Sequence, residues 1–247
     1  MASQQRIEYD SVSILELLNQ GEMAVEGLLP YSSNYTLLSI ISHQGTSVLA
    51  VYKPCRGERP LWDFPRGTLY QREVSAYLIS EALGFHFVPP TVARKGPYGI
   101  GAVQLFIEND EEDHLLTMQR EGCYDEVLRR LAAFDCVINN ADRKSGHCIK
   151  GSDGRLWSID HGICFHEEDK LRTVLWDFVG QPFPSDVLNA LKQLSRQLEQ
   201  PGALVQRLDK LLNRAEMCAL KQRLAQMLRS GVYPYPGTGP HIPWPPV

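Results

Sequence analysis

Four charged residues stand where their type and spacing could handle a nucleotide. Lys53 closes the aliphatic run Val51-Tyr52-Lys53-Pro54, and Glu73 lies in a following stretch with helical periodicity. A strand-borne lysine can hold phosphate oxygens, and a glutamate on the next helix can orient it through an ion pair. Asp142 lies in the polar stretch Asn139-Asn140-Ala141-Asp142-Arg143-Lys144-Ser145-Gly146-His147, and Asp160 in Trp157-Ser158-Ile159-Asp160-His161-Gly162. One carboxylate can take a hydroxyl proton, and the other can hold a divalent cation against phosphate oxygens. Plain alternatives stand beside these readings: an exposed edge-strand lysine and two solvated loop aspartates.

The elements around these residues decide between the two. Residues 24–29, 35–42 and 47–52 are rich in β-branched, aromatic and aliphatic residues and predict strands separated by turns. A helix is predicted over 70–83, with Gly84 as its stop, and strands over 88–93 and 102–107. An amphipathic helix is predicted over 125–139. It runs into the Asp142 loop, and a hairpin built on 148–150 and 156–159 follows. A hairpin brings its two ends together, so Asp142 and Asp160 should flank one site although 18 positions separate them. Further helices are predicted over 171–179, from a Ser185 cap, over 202–212 and over 215–229. Residues 232–247 hold six of the 16 prolines and no Lys, Arg, Asp or Glu, which excludes a helix or central strand. This tail is expected to be loose or packed in extended form, and dispensable for chemistry.

Other signals are weaker. Ser32, Ser33 and Asn34 join the first two predicted strands and could offer hydroxyls and backbone N–H groups to phosphates. The run Gly96-Pro97-Tyr98-Gly99-Ile100-Gly101 precedes a strand rather than a helix, so it reads as a plain turn. His147, Cys148, His161, Cys164 and His166 cluster in sequence and offer a zinc alternative, without the usual paired spacings.

Net charge is −4 over 247 residues, a poor basis for non-specific nucleic-acid binding. No apolar run is long enough to insert across a bilayer, no secretory leader is evident, and the six cysteines form no disulfide framework. Together these predict a cytoplasmic protein with reduced thiols. The sequence carries no signal for oligomeric state.

The order Tyr52-Lys53-Pro54, Arg72-Glu73, Asp142-Arg143 and Asp160-His161-Gly162 resembles the phosphatidylinositol 3-/4-kinase-like branch of the protein-kinase fold. It is most similar to a small bacterial family of that group, with HipA-type kinases as more distant relatives. The spans Tyr52–Pro54, Trp62–Tyr70 and Asn139–His147 carry most of the match to that bacterial family.

The resemblance implies an α+β, two-lobed fold. Its parts would be an N-terminal nucleotide-binding lobe (1–107), a helical catalytic lobe (108–231) and the tail (232–247), with nucleotide between the lobes. It implies ATP with Mg²⁺ or Mn²⁺ and an unidentified protein or small-molecule acceptor. Lys53 would bind phosphate with Glu73 as its partner, and Ser32, Ser33 and Asn34 would line the phosphates. Gln104 and Phe106 would belong to the segment that meets adenine. Asp142 and Arg143 would be catalytic and Asp160 a metal ligand. Where the family pattern D-R-x-x-x-N ends in a metal-binding Asn, this chain has His147, a candidate ligand that favours Mn²⁺. Lys144 replaces the usual His, and the acidic run after Gly162 argues against phosphoinositides. Alternatives are a nucleotide-binding pseudokinase, an AMP-transferring enzyme of the same fold, and a zinc-stabilised interaction module.

Overall fold

The computed structural model describes residues 11–30 and 34–246. Contacts group the chain into two compact units: the residues up to Arg59 with Pro90–Phe106, and Pro60–Pro89 with Ile107 onward.

The first unit is a five-stranded antiparallel sheet. Its strands are β1 (Glu22–Leu28), β2 (Leu37–His43), β3 (Thr46–Pro54), β4 (Thr91–Gly96) and β5 (Gly99–Leu105), in the order β1-β2-β3-β5-β4. A helix that the sequence reading lacked, α1 (Ser11–Gln20), covers one face. Its Ile14, Leu17 and Leu18 pack with Leu37, Ile41, Val48, Ala50 and Tyr52. Side chains alternate along a strand, so burying Ala50 and Tyr52 under α1 sends Lys53 to the opposite face. β5 closes tightly on β3 beside that lysine. A Cβ at Gly101 would lie 2.3 Å from the Lys53 carbonyl oxygen, so only glycine fits. Gly96–Gly99 forms the β4–β5 turn, as its composition predicts.

The second unit opens with α2 (Leu69–Ala82), almost wholly buried. The sequence reading put this helix with the N-terminal sheet, whereas the contact grouping places it in the second unit, where it packs with later helices. A small antiparallel sheet, β6-β7-β8, follows (Asn109–His114, Cys148–Gly151, Leu156–Ser158). The β7–β8 hairpin matches the expectation, whereas β6 and the short α3 (Leu115–Glu121) had no sequence forecast. Helices α4 (Asp125–Ile138), α5 (Ser185–Glu199), α6 (Ala203–Leu208) and α7 (Arg214–Ser230) complete it. Pro184, not Ser185, occupies the N-cap position of α5, and Gly231 ends α7 with φ +68°.

The predicted helix over 171–179 is corrected to an extended segment with one 3-10 turn at Trp176–Phe178. Its backbone donors are spent on other segments. Arg172 N–H bonds Asn140 O at 2.8 Å, Thr173 N–H bonds His241 O at 3.1 Å and Val174 N–H bonds Arg143 O at 3.2 Å. The proline-rich tail is packed on this unit. Val232 bridges Pro182, and Tyr233 is buried against Phe178 and Phe183.

Candidate active site

Helix α4 delivers the chain to the site. It ends at Asn139 in the left-handed region, φ 52°, a conformation Asn adopts more readily than most residues. The Asn139 side chain ties down the segment after Gly162. Its amide donates to His166 O at 3.0 Å and Glu168 O at 2.6 Å, and its oxygen accepts from Lys170 N–H at 2.9 Å.

The next loop is organised around Arg143, which is fully buried. Its Nε donates to both oxygens of Asp135, at 3.2 and 3.0 Å. Nη2 donates to Asp135 Oδ1 at 3.0 Å and to His161 Nε2 at 2.9 Å. Nη1 reaches the carbonyls of His147 and Ile159, both at 3.2 Å. All five guanidinium N–H groups are directed at protein acceptors, so Arg143 fixes the loop and the end of the hairpin in one step. Because a guanidinium only donates, His161 Nε2 must accept, which makes His161 a neutral Nδ1–H tautomer. Asp135 also accepts from Asn140 Nδ2 at 2.9 Å and Thr173 Oγ1 at 3.2 Å, so its buried charge is fully compensated.

This scaffold presents three side chains. Asp142 is three-quarters buried, with Lys144 Nζ 3.4 Å from its carboxylate. Burial pushes its pKa up to about 6, the nearby Asp160 charge adds to the rise, and Lys144 and Arg143 oppose it. His147 Nδ1 lies 2.9 Å from the Asp142 carbonyl oxygen. A carbonyl only accepts, so Nδ1 carries a proton, and Nε2 faces Asp160 Oδ2 at 3.4 Å. Either a proton on Nε2 or a divalent cation bridges such a pair. A histidine that donates its other N–H to a backbone carbonyl is already set for metal binding. Asp160 has φ 59°, which turns its carboxylate out of the line of β8, and it is about half exposed. Glu73 is buried on α2 and accepts the His161 backbone N–H at 2.9 Å, which steadies the residue after Asp160.

The structure therefore brings Asp142, His147 and Asp160 together, with Glu73 holding the backbone beside them. Arg143 lies beneath the site, turned into the fold. Lys53 sits in the first unit, half-buried on the face away from α1. Gln104 is buried, and its amide donates to Thr91 Oγ1 at 2.8 Å; the Phe106 N–H bonds Leu49 O at 3.0 Å. Asn34 Oδ1 accepts the Arg59 N–H at 2.8 Å, while Ser32 and Ser33 lie outside the described residues. Among the described residues no three His, Cys, Asp or Glu side chains are grouped for a metal, and the cysteine–histidine cluster does not converge. Cys148 and Cys164 are buried, and burial pushes the Cys148 thiol up to about 12, the wrong direction for a thiolate ligand. His147 and Asp160 could hold a divalent ion only with phosphate oxygens and water completing the shell.

Asp135, Asn139 and Thr173 had no assigned role in the sequence reading, and His161 entered it only in the zinc alternative. Asp135 did carry a signal: it stands among Leu128, Leu131, Phe134 and Ile138, where a carboxylate must have a buried partner.

The chain is 41% identical over 262 residues to Protein Rv2133c of Mycobacterium tuberculosis, covering 93% of this chain and 94% of the relative. It is 29% identical over 170 residues to phosphatidylinositol 4-kinase gamma 4 of Oryza sativa subsp. japonica, covering 53% of this chain but only 29% of that protein. No family model matches. Among solved structures, the Golgi casein kinase with Mn/ADP bound superposes with a TM-score of 0.53 at 16% identity, over 89% of this chain and 75% of that one. The Helicobacter pylori proinflammatory kinase CtkA superposes with a TM-score of 0.54 at 15% identity, over 87% and 94%. The fold is thus protein-kinase-like, α+β with an antiparallel N-terminal sheet and a helical C-terminal part.

Proposed function

The chain belongs to the family of Protein Rv2133c, and from that footing we propose that it is an ATP- and divalent-metal-dependent phosphotransferase. The observation that carries the reading is the Asp142–His147–Asp160 group, mounted on a buried scaffold and composed of one proton acceptor and two cation ligands. The kinase-fold neighbours support it, and the Mn/ADP bound to one of them is consistent with a nucleotide and a divalent ion. The partial match to a lipid kinase supports transfer chemistry but not the acceptor.

In this reading Asp142, ionised above about pH 6, takes the proton from an acceptor hydroxyl. The freed oxygen attacks the γ-phosphorus, the bond to the bridging oxygen breaks, and ADP leaves with that electron pair. Asp160 and His147 would hold the divalent ion, which would neutralise charge on the phosphate oxygens. Lys53 serves the phosphates from its strand, and Arg143 is a positioning residue. Catalysis of this kind is mostly placement and charge stabilisation, so small displacements are costly.

The test is thermal shift with Mg²⁺-ATP and Mn²⁺-ATP, then label transfer from γ- or α-labelled ATP into cell lysate. A rise in Tm with either metal and incorporation of the γ-label alone are expected. Incorporation of the α-label would replace phosphoryl by adenylyl transfer. A Tm rise with neither label transferred would make the chain a pseudokinase, and no shift would remove the nucleotide.

A further inference from the structure

The tail holds no Lys, Arg, Asp or Glu, yet its Pro246 reaches the Asp142 loop. Tyr233 anchors its start: the ring lies 4.5 Å from Phe183 and the hydroxyl donates to Arg129 O at 2.8 Å. Farther along, the His241 carbonyl accepts from Thr173 N–H at 3.1 Å and from Trp176 Nε1 at 2.9 Å. The Pro246 carbonyl accepts from Ser145 N–H at 3.0 Å. Both amides belong to buried residues that flank the site. Ser145 is three positions from Asp142, and the Thr173 hydroxyl bonds Asp135, the partner of Arg143.

We infer that residues 241–246 are a positioning clamp for the phosphotransfer site, and that their backbone carbonyls hold the Asp142–His147 loop and the 171–176 segment in register. This rests on the function proposed above. The chemistry of the tail suits the task. Proline has no N–H, so Pro245-Pro246 offers acceptors without competing donors. Its fixed φ also means little chain entropy is lost when the tail is ordered. Without the clamp, two buried amides and an indole N–H lose their acceptors, and the loop must shift to rehydrate them. The clamp stands against the expectation that the tail is dispensable for chemistry.

Two truncations of the full chain test this. A stop after Trp244 removes only the Ser145 acceptor, and a stop after Pro240 removes both. Hydrogen exchange at the Ser145 amide should quicken roughly tenfold in the first, the equivalent of one lost hydrogen bond. The Thr173 amide should follow only in the second. Turnover should fall about tenfold or more with ATP affinity nearly unchanged, because the loop rather than the nucleotide loses its support. A synthetic peptide of residues 241–247 added to the shorter chain should restore turnover. Unchanged exchange at Ser145 overturns the clamp, as does full turnover by the chain stopped after Trp244. If the full chain has no ATP turnover, the functional reading fails and exchange alone decides: protection lost upholds the clamp, protection kept overturns it. Should the stop after Pro240 unfold the protein, the stop after Trp244 still decides.

Discussion

At the scale of single residues, Asp142 trades stability for chemistry. Its folded pKa of about 6 lies above the ordinary 3.8, so the folded state favours the protonated acid. The sign follows: stability contributed by this group is greatest below pH 4, is lost as pH rises toward 6, and stays lost at neutral pH. Asp142→Asn should therefore keep or raise Tm at pH 7 while lowering turnover by roughly 10²–10⁴-fold. Wild-type turnover should fall on the acid side near pH 6 by about tenfold per unit. Asp142→Asn with near-normal turnover would remove the proton-acceptor role. Arg143 predicts the opposite balance. Lysine has too few donors to replace its five N–H groups, so Arg143→Lys should destabilise by about 3–5 kcal/mol, measured by urea unfolding. Asp160 was readable as a presented side chain because the apolar lead-in Trp157-Ser158-Ile159 runs into it, and its nearness to Asp142 because a hairpin brings its two ends together. Arg143 was legible as a member of the motif but not in its role. Nothing in its neighbours says that the guanidinium turns inward, because its partner Asp135 is on the preceding helix and its other acceptors are on a later hairpin.

At the scale of elements, the junction after α4 carries the site. Asn139→Gly keeps the left-handed φ at little cost but deletes three hydrogen bonds to residues 166–170. The expected cost is about 1–3 kcal/mol in unfolding free energy, together with faster exchange of the Lys170 amide and intact α4. Unchanged exchange at Lys170 would show that the segment is held by other means. Strands and long helices were readable because burial imposes periods of 2 and 3.6 on their side chains. The strand β6 was not, since Asn109-Asp110-Glu111-Glu112-Asp113-His114 has no apolar member to mark a face. The α1 helix carries the right spacing in Ile14, Leu17 and Leu18, but it is short and its role depends on a sheet that comes later in the chain. Residues 171–179 failed for a different reason. Their composition suits a helix, but N–H groups of residues 172–174 bond carbonyls of the Asp142 loop and the tail, and those pairings hold the backbone extended where a first helical turn would have to form.

For the molecule as a whole, the unresolved choice is the acceptor, and charge decides the first branch. An enzyme acting on inositol lipids works against an anionic surface and needs cations near it. This chain carries a net charge of −4, and the segment after Gly162 exposes Glu167, Glu168 and Asp169. The cation of that segment, Lys170, is committed to Asp63 at 2.9 Å and Glu168 at 3.6 Å, with the Trp62 ring beneath it at 5.2 Å. We therefore expect no retention on vesicles carrying phosphatidylinositol or its 4-phosphate at low salt, and no transfer of label to either lipid, under conditions where a soluble acceptor is labelled. The double change Glu167→Lys with Glu168→Lys makes the argument quantitative. It should add vesicle affinity of about 1 kcal/mol per new lysine, lost again when salt shortens the screening length. Labelling of phosphatidylinositol by the wild-type chain as fast as any soluble acceptor would show that headgroup recognition here does not depend on these cations, and would return the lipid to the head of the list of acceptors.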